Sequence, residues 1–270
     1  MNYFNHEIID EGLYRLILPG RVFAYLAVGK EKAALIDTGF GIGSLKEYVH
    51  TIMDRPLTVI LTHGHYDHAG GAGEFSHVCI HKDDIALALR GAKREVRISA
   101  LQGMSFEEKD IVPDLEEGQI RTFVPDQVFD LGGSSIVMLA MPGHTRGSHA
   151  VLFREKRIVL FGDACNSAAF MQLNECTTIR EYRESLIRFK NKYEDEYDSV
   201  LYSHPHNYGD KTILDESIAL CEDIIEGRDD SLLNGERDGH PVFIAKAVDE
   251  TMKRKDGGTA NILYRKDKIR

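Results

Sequence analysis

The chain has 270 residues, 43% hydrophobic and 28% charged, the balance of a soluble globular protein rather than a disordered or membrane one. Thirty-three basic against 43 acidic residues give a formal net charge of −10, which repels polyanions and argues against a nucleic-acid partner. No apolar run approaches the roughly 18 residues of a membrane span, and His6, Glu7, Asp10 and Glu11 stand where a secretory signal needs a basic start.

From Leu13 to Asp37 the apolar residues fall in three short runs, 13–18, 22–28 and 33–36, separated by Pro19-Gly20 and by the polar residues 29–32. This predicts a meander of antiparallel strands. Helical spacing at Leu45, Val49 and Ile52 predicts a helix over 44–53, and a strand follows Pro56 over 57–61. Beyond a His-rich loop, a short glycine-containing helix, a strand over 77–80 and a helix over 83–89 are expected, the last capped by Asp83 or its neighbour. Residues 91–126 are charged and weakly periodic, which suggests a lid or substrate wall. Strands are predicted over 135–141, 150–153, 157–161 and 199–202, and helices over 179–192 and 212–225. No repeat or linker divides the chain, so 1–270 reads as one domain. Cys79, Cys165, Cys176 and Cys221 never fall at C-x-x-C spacing and read as free thiols in a reducing cytoplasm.

The chemistry concentrates in residues 58–71, Thr-Val-Ile-Leu-Thr-His-Gly-His-Tyr-Asp-His-Ala-Gly-Gly. Gly64 suggests a loop leaving the carboxyl end of a strand, the end at which ligands bind in α/β architectures. His63, His65, Asp67 and His68 place three imidazoles and a carboxylate within six residues, more than one tetrahedral ion readily accepts from one short loop. Two adjacent ions explain the excess.

His-x-His-x-Asp-His resembles the signature of the metallo-β-lactamase superfamily. Four further segments are similar to that family's motifs in the expected order: Leu35-Ile-Asp-Thr-Gly39, Pro142-Gly-His-Thr-Arg-Gly-Ser148, Phe161-Gly-Asp163 and Ser203-His-Pro205. The likeness spans about residues 8 to 206. It implies a four-layer αββα sandwich of mixed α/β class with a dinuclear site along one edge of the sheets. By position, His63, His65 and His144 would hold one ion, Asp67, His68 and His204 the other, and Asp163 would bridge them. The donors are nitrogen and oxygen only, which suits zinc and leaves iron or manganese open.

Asp37 reads as a carboxylate orienting a ligand imidazole. Ser203-His-Pro205 stands where the family usually carries Gly-His-Gly, so His206 competes with His204 as the last ligand; His204 is favoured. His77, His81 and His149 lie outside the motifs and read as structural. Tyr66 is read as substrate contact or packing, and Arg146 as substrate contact or solvated charge. Cys165, two residues from Asp163, reads as packing.

Two bound cations lower the pKa of a shared water towards ~7. The expectation is therefore a hydrolase whose bridging hydroxide, oriented by Asp67, cleaves a small ester, thioester, lactone or phosphodiester. An antibiotic-hydrolysing member is disfavoured by Asp163, and the net charge disfavours tRNA-processing relatives. The alternative is an iron-dependent oxidoreductase resembling persulfide dioxygenases. The expected partner is a small-molecule substrate, without nucleic acid or membrane.

Overall fold

The meander is present and one strand longer than the apolar runs: Asn5–Asp10 (β1), Leu13–Leu18 (β2), Val22–Val28 (β3) and Ala33–Ile36 (β4) pair in order, all antiparallel. The computed structural model describes residues 3–270. By contacts the chain forms two units, one running to Met138 and including Ser203–Pro205, the other comprising Leu139–Tyr202 and His206–Arg270.

In the first unit β4 turns the sheet from antiparallel to parallel. Ser44 caps α1 (Leu45–Ile52) by accepting from the Glu47 N–H, and the helix delivers the chain to β5 (Leu57–Ile60) beside β4. A single helical turn, α2 (Tyr66–Ala69), then β6 (Val78–His81), α3 (Ile85–Gly91), α4 (Arg94–Ala100) and β7 (Ile120–Phe123) follow, completing a seven-stranded sheet in chain order. All four residues of β4 are buried, as expected of a central strand covered on both faces. Leu16, Ala24, Leu26, Leu35, Val59 and Val78 share one core with Leu45 and Val49 of α1. The hairpin β8 (Val128–Asp130) and β9 (Ser135–Ala140) closes the unit, with β9 running on into the second.

Two expectations change here. Part of residues 91–126 is packed regular structure: β7 pairs with β6, and Arg97 of α4 is fully buried, donating to the carbonyls of Phe40 and Val112 and to Asp114 Oδ1. The helix expected over 83–89 begins at Ile85, after a short 3-10 turn in which the His81 side chain accepts from the Asp83 N–H. Asp84 occupies its N-cap without bonding the helix, because its carboxylate is engaged elsewhere.

In the second unit β10 (His149–Phe153) pairs antiparallel with β11 (Ile158–Leu160), which pairs parallel with β13 (Ser199–Leu201). Between β11 and β13 lie β12 (Ala169–Phe170) and α5 (Ile179–Tyr193), whose Thr178 and Glu181 form a reciprocal capping box. α6 (Ile213–Glu226) packs on α5. The chain ends in a smaller sheet in which β12, β16 (Ile262–Tyr264), β15 (His240–Ile244) and β14 (Leu232–Arg237) are neighbours in that order. The predicted mixed α/β class holds. No helix among the described residues is long and apolar enough to cross a membrane.

Candidate metal centre

In the first unit the site grows from the carboxyl ends of β4 and β5. Their register places Ile36 opposite Ile60, and the Asp37 N–H donates to the Ile60 carbonyl at 2.9 Å. Asp37 is buried and held at φ +64°, a left-handed conformation that aspartate tolerates better than most residues. Its Oδ1 accepts the Thr62 N–H at 2.8 Å, and its Oδ2 accepts the Thr62 hydroxyl at 2.8 Å and faces His68 Nδ1 at 2.9 Å. Thr62 Oγ1 also lies 3.0 Å from His63 Nδ1. One carboxylate thereby orients two imidazoles, one of them through a hydroxyl.

These contacts fix protons. A hydroxyl that gives its hydrogen to Asp37 must accept from His63 Nδ1, and an imidazole nitrogen facing a carboxylate or a carbonyl must carry hydrogen. His63 and His68 are thus Nδ1–H tautomers, with the lone pair on Nε2. His204 follows the same rule, because its Nδ1 faces the Arg21 carbonyl at 3.0 Å.

Gly64 sets the loop between His63 and His65. Its N–H donates to Asp84 Oδ2 at 2.9 Å, and a Cβ there would stand 2.7 Å from both Asp84 O and Ala88 N, so only glycine fits against α3. The loop brings His63 Nε2 within 3.0 Å of His65 Nδ1. Nitrogens bonded to one tetrahedral ion at about 2.0–2.1 Å stand about 3.3 Å apart, so this spacing fits two ligands of a common cation. α2 then presents Asp67 and His68, anchored from outside by Thr38, whose N–H and hydroxyl both donate to the His68 carbonyl. Asp67 Oδ2 lies 3.7 Å from His68 Nε2 and 3.6 Å from His204 Nε2. These separations are too long for hydrogen bonds and right for neighbours on a cation. Ligand atoms of Asp67, His68 and His204 all fall within 4.8 Å of one another.

The second unit contributes a smaller set of the same kind. His144 Nδ1 faces the Phe170 carbonyl at 2.9 Å, which directs its Nε2 towards Asp163 Oδ2, 3.8 Å away. Tyr182 of α5 holds both loops: a Cβ on Gly143 would come within 2.2 Å of its ring, and its hydroxyl donates to the Ala164 carbonyl at 2.8 Å. Neither this tyrosine nor Thr62 and Asp84 stands out in the sequence. Thr62 adjoins His63 and was within reach; Tyr182 and Asp84 carry no local signal.

The remaining candidates fall outside these groups. Cys165 is buried against Ser217, and burial pushes its thiol up to about 11, so it stays protonated at neutral pH. All four cysteines are free thiols. His149 is buried with Nδ1 at 2.8 Å from the Gly147 carbonyl, His77 is exposed, and His81 caps its 3-10 turn. Tyr66 is half-buried against the Phe40 ring at 5.6 Å. Arg146 is exposed; its charge adds to the Thr178 hydrogen bonds that hold the Glu181 carboxyl below its usual range.

The family model described as the metallo-beta-lactamase superfamily matches residues 17–204, most of the chain and the motifs from Leu35 through His204. The chain belongs to the metallo-β-lactamase superfamily. It is a metal-dependent hydrolase of that superfamily. Acyl-coenzyme A thioesterase MBLAC2 of Gallus gallus is 26% identical over 205 residues, covering 67% of this chain and 73% of the relative. Hydroxyacylglutathione hydrolase GloC of Haemophilus influenzae is 25% identical over 144 residues, 50% of this chain and 61% of that protein. Among solved structures, a metallo-β-lactamase family protein of Thermus thermophilus shares the fold with a TM-score of 0.58 at 21% identity, over 84% of this chain and 85% of that one.

Proposed function

We propose that the protein is a dinuclear thioester hydrolase, with His63, His65 and His144 on one ion, Asp67, His68 and His204 on the other, and Asp163 between them. In this reading both units work as one catalytic domain. The observation that carries the substrate class is the likeness to an acyl-coenzyme A thioesterase across two thirds of this chain. The donor set supports the metals: His63, His68, His144 and His204 each present Nε2 because Nδ1 is engaged by a hydroxyl, a carboxylate or a carbonyl. Nitrogen and carboxylate donors without thiolate suit zinc.

Bound divalent ions supply Lewis acidity, polarising the scissile carbonyl and lowering the pKa of water. The chain's own residues supply the rest. Asp67, the least buried of the α2 ligands, orients the attacking water and holds its proton through Oδ1 while Oδ2 faces His68 and His204. Asp37 keeps His63 and His68 in the tautomer that coordination requires. Cys165 takes no part, since a thiol pushed up to about 11 is no nucleophile at neutral pH.

The test is a panel of thioester, ester, lactone and phosphodiester substrates offered to the protein loaded with zinc, manganese or iron. Thioester turnover leading the panel with the zinc form supports the proposal. Activity confined to the iron form and a persulfide substrate sinks it.

A further inference from the structure

We propose that Arg21 binds an anionic group on the thiol half of the substrate, a phosphate or a carboxylate, and so determines specificity; this rests on the thioester reading above. Arg21 sits at the tip of the β2–β3 hairpin, where Leu18 pairs with Val22 across Pro19-Gly20-Arg21. The tip is held at two places beside the first unit's ligands. On one side the Arg21 carbonyl orients His204 through Nδ1 at 3.0 Å, and the Phe23 N–H donates to the Ser203 carbonyl at 2.8 Å. On the other, Gly20 lies against Phe40 so closely that a Cβ would stand 2.2 Å from its ring, and Phe40 in turn packs on Tyr66, the neighbour of Asp67. The backbone of Arg21 is therefore fixed against one proposed ligand, His204, by its own carbonyl.

Its side chain is not fixed by anything. Arg21 is exposed and makes no side-chain hydrogen bond or ion pair among the described residues. It also holds φ +59°, a conformation that costs an arginine free energy and that glycine would adopt at none. The carbonyl that orients His204 needs no arginine, since any residue supplies it. A strained position that carries an unpaired, exposed guanidinium on a backbone held against His204, in a chain of net charge −10, points to a ligand with negative charge. The flexible side chain reaches a group several bonds from the reacting carbonyl, where a thiol carrier bears its charges. Two carriers share that chemistry: coenzyme A with phosphates and glutathione with carboxylates.

The experiment compares wild type, Arg21→Ala and Arg21→Lys, all metal-loaded, with one acyl group carried on coenzyme A, glutathione or uncharged pantetheine. In parallel, coenzyme A, glutathione and pantetheine are titrated onto each protein by calorimetry. Arg21→Ala is expected to raise KM for one charged carrier about tenfold at nearly unchanged kcat, to leave the pantetheine thioester unaffected, and to keep full metal content because the carbonyl remains. Arg21→Lys should recover part of the loss. The carrier that responds identifies phosphate or carboxylate as the group. A wild type that binds pantetheine as tightly as both charged carriers overturns the proposal, as does an equal loss on pantetheine. Absence of all thioester turnover defeats the thioester reading alone, because the titrations still show whether Arg21 discriminates charge.

Discussion

Four of the five imidazoles proposed as ligands are governed by the atom on the far side of the ring. Asp37 reaches His68 directly and His63 through Thr62, the Arg21 carbonyl reaches His204, and the Phe170 carbonyl reaches His144. Removing such a partner typically lowers metal affinity 10–100-fold, so Asp37→Ala should weaken metal binding by about that factor. Asp37→Asn should fall between, since it retains an acceptor but loses the charge. Competition against a chelator with graded affinity reads both. His204→Ala should bring the content of loaded protein from two ions towards one, whereas His206→Ala should leave it at two; elemental analysis decides, and the opposite pattern makes His206 the ligand. The proposed ligands and Asp37 could be picked out because the chain packs their types into short motifs. Tyr182 was not, because a tyrosine on a helix looks the same in sequence whether it packs a core or braces two loops.

At the scale of elements, local signals were readable where one face is buried and silent where none is. Strands β2, β3 and β4 match their apolar runs residue for residue, since each turns buried residues to the core. β1 and β14 are exposed almost throughout, so no hydrophobic pattern announces them. The β14–β15 hairpin did leave a trace in Asp238-Gly239, both at positive φ as a two-residue hairpin turn requires. α5 shows how an element serves the site from a distance. Its capping box secures the start of the helix, and one turn on, Tyr182 braces the loops of His144 and Asp163. Tyr182→Phe keeps the ring against Gly143 and deletes the hydroxyl that donates to the Ala164 carbonyl. It should cost about 1 kcal/mol of stability in metal-free protein. If the bond also sets the His144–Asp163 spacing, metal affinity falls about tenfold as well. Thr178→Ala is the control: it should lose about 1 kcal/mol by removing the cap, with metal affinity unchanged. Equal affinities in the two variants would reduce Tyr182 to a packing residue.

For the whole molecule, bound metal links stability to pH. Ligand histidines coordinate only when neutral, while the unfolded chain's histidines protonate near their ordinary value of about 6.5, so the unfolded state binds more protons and stability rises with pH through that region. Metal at about a thousand times its dissociation constant contributes about 4 kcal/mol, which at this chain length corresponds to a melting temperature about 10 °C higher. Loaded protein should therefore lose this margin over chelated protein as pH falls from about 7 to about 5. A second acid-sensitive element acts elsewhere and with a different window. Hydrogen bonding to Arg254 holds the Asp256 carboxyl down at about 2. A depressed folded pKa gives stability that is present above the ordinary carboxylate range and lost as pH falls towards 2, whether or not metal is bound. The two contributions separate by experiment. Calorimetric melting of loaded and chelated protein across pH should converge by about pH 5, and Asp256→Asn should flatten only the loss below about pH 4, in both forms alike. Curves for loaded and chelated protein that coincide at pH 7 would mean that the imidazole cluster holds no metal.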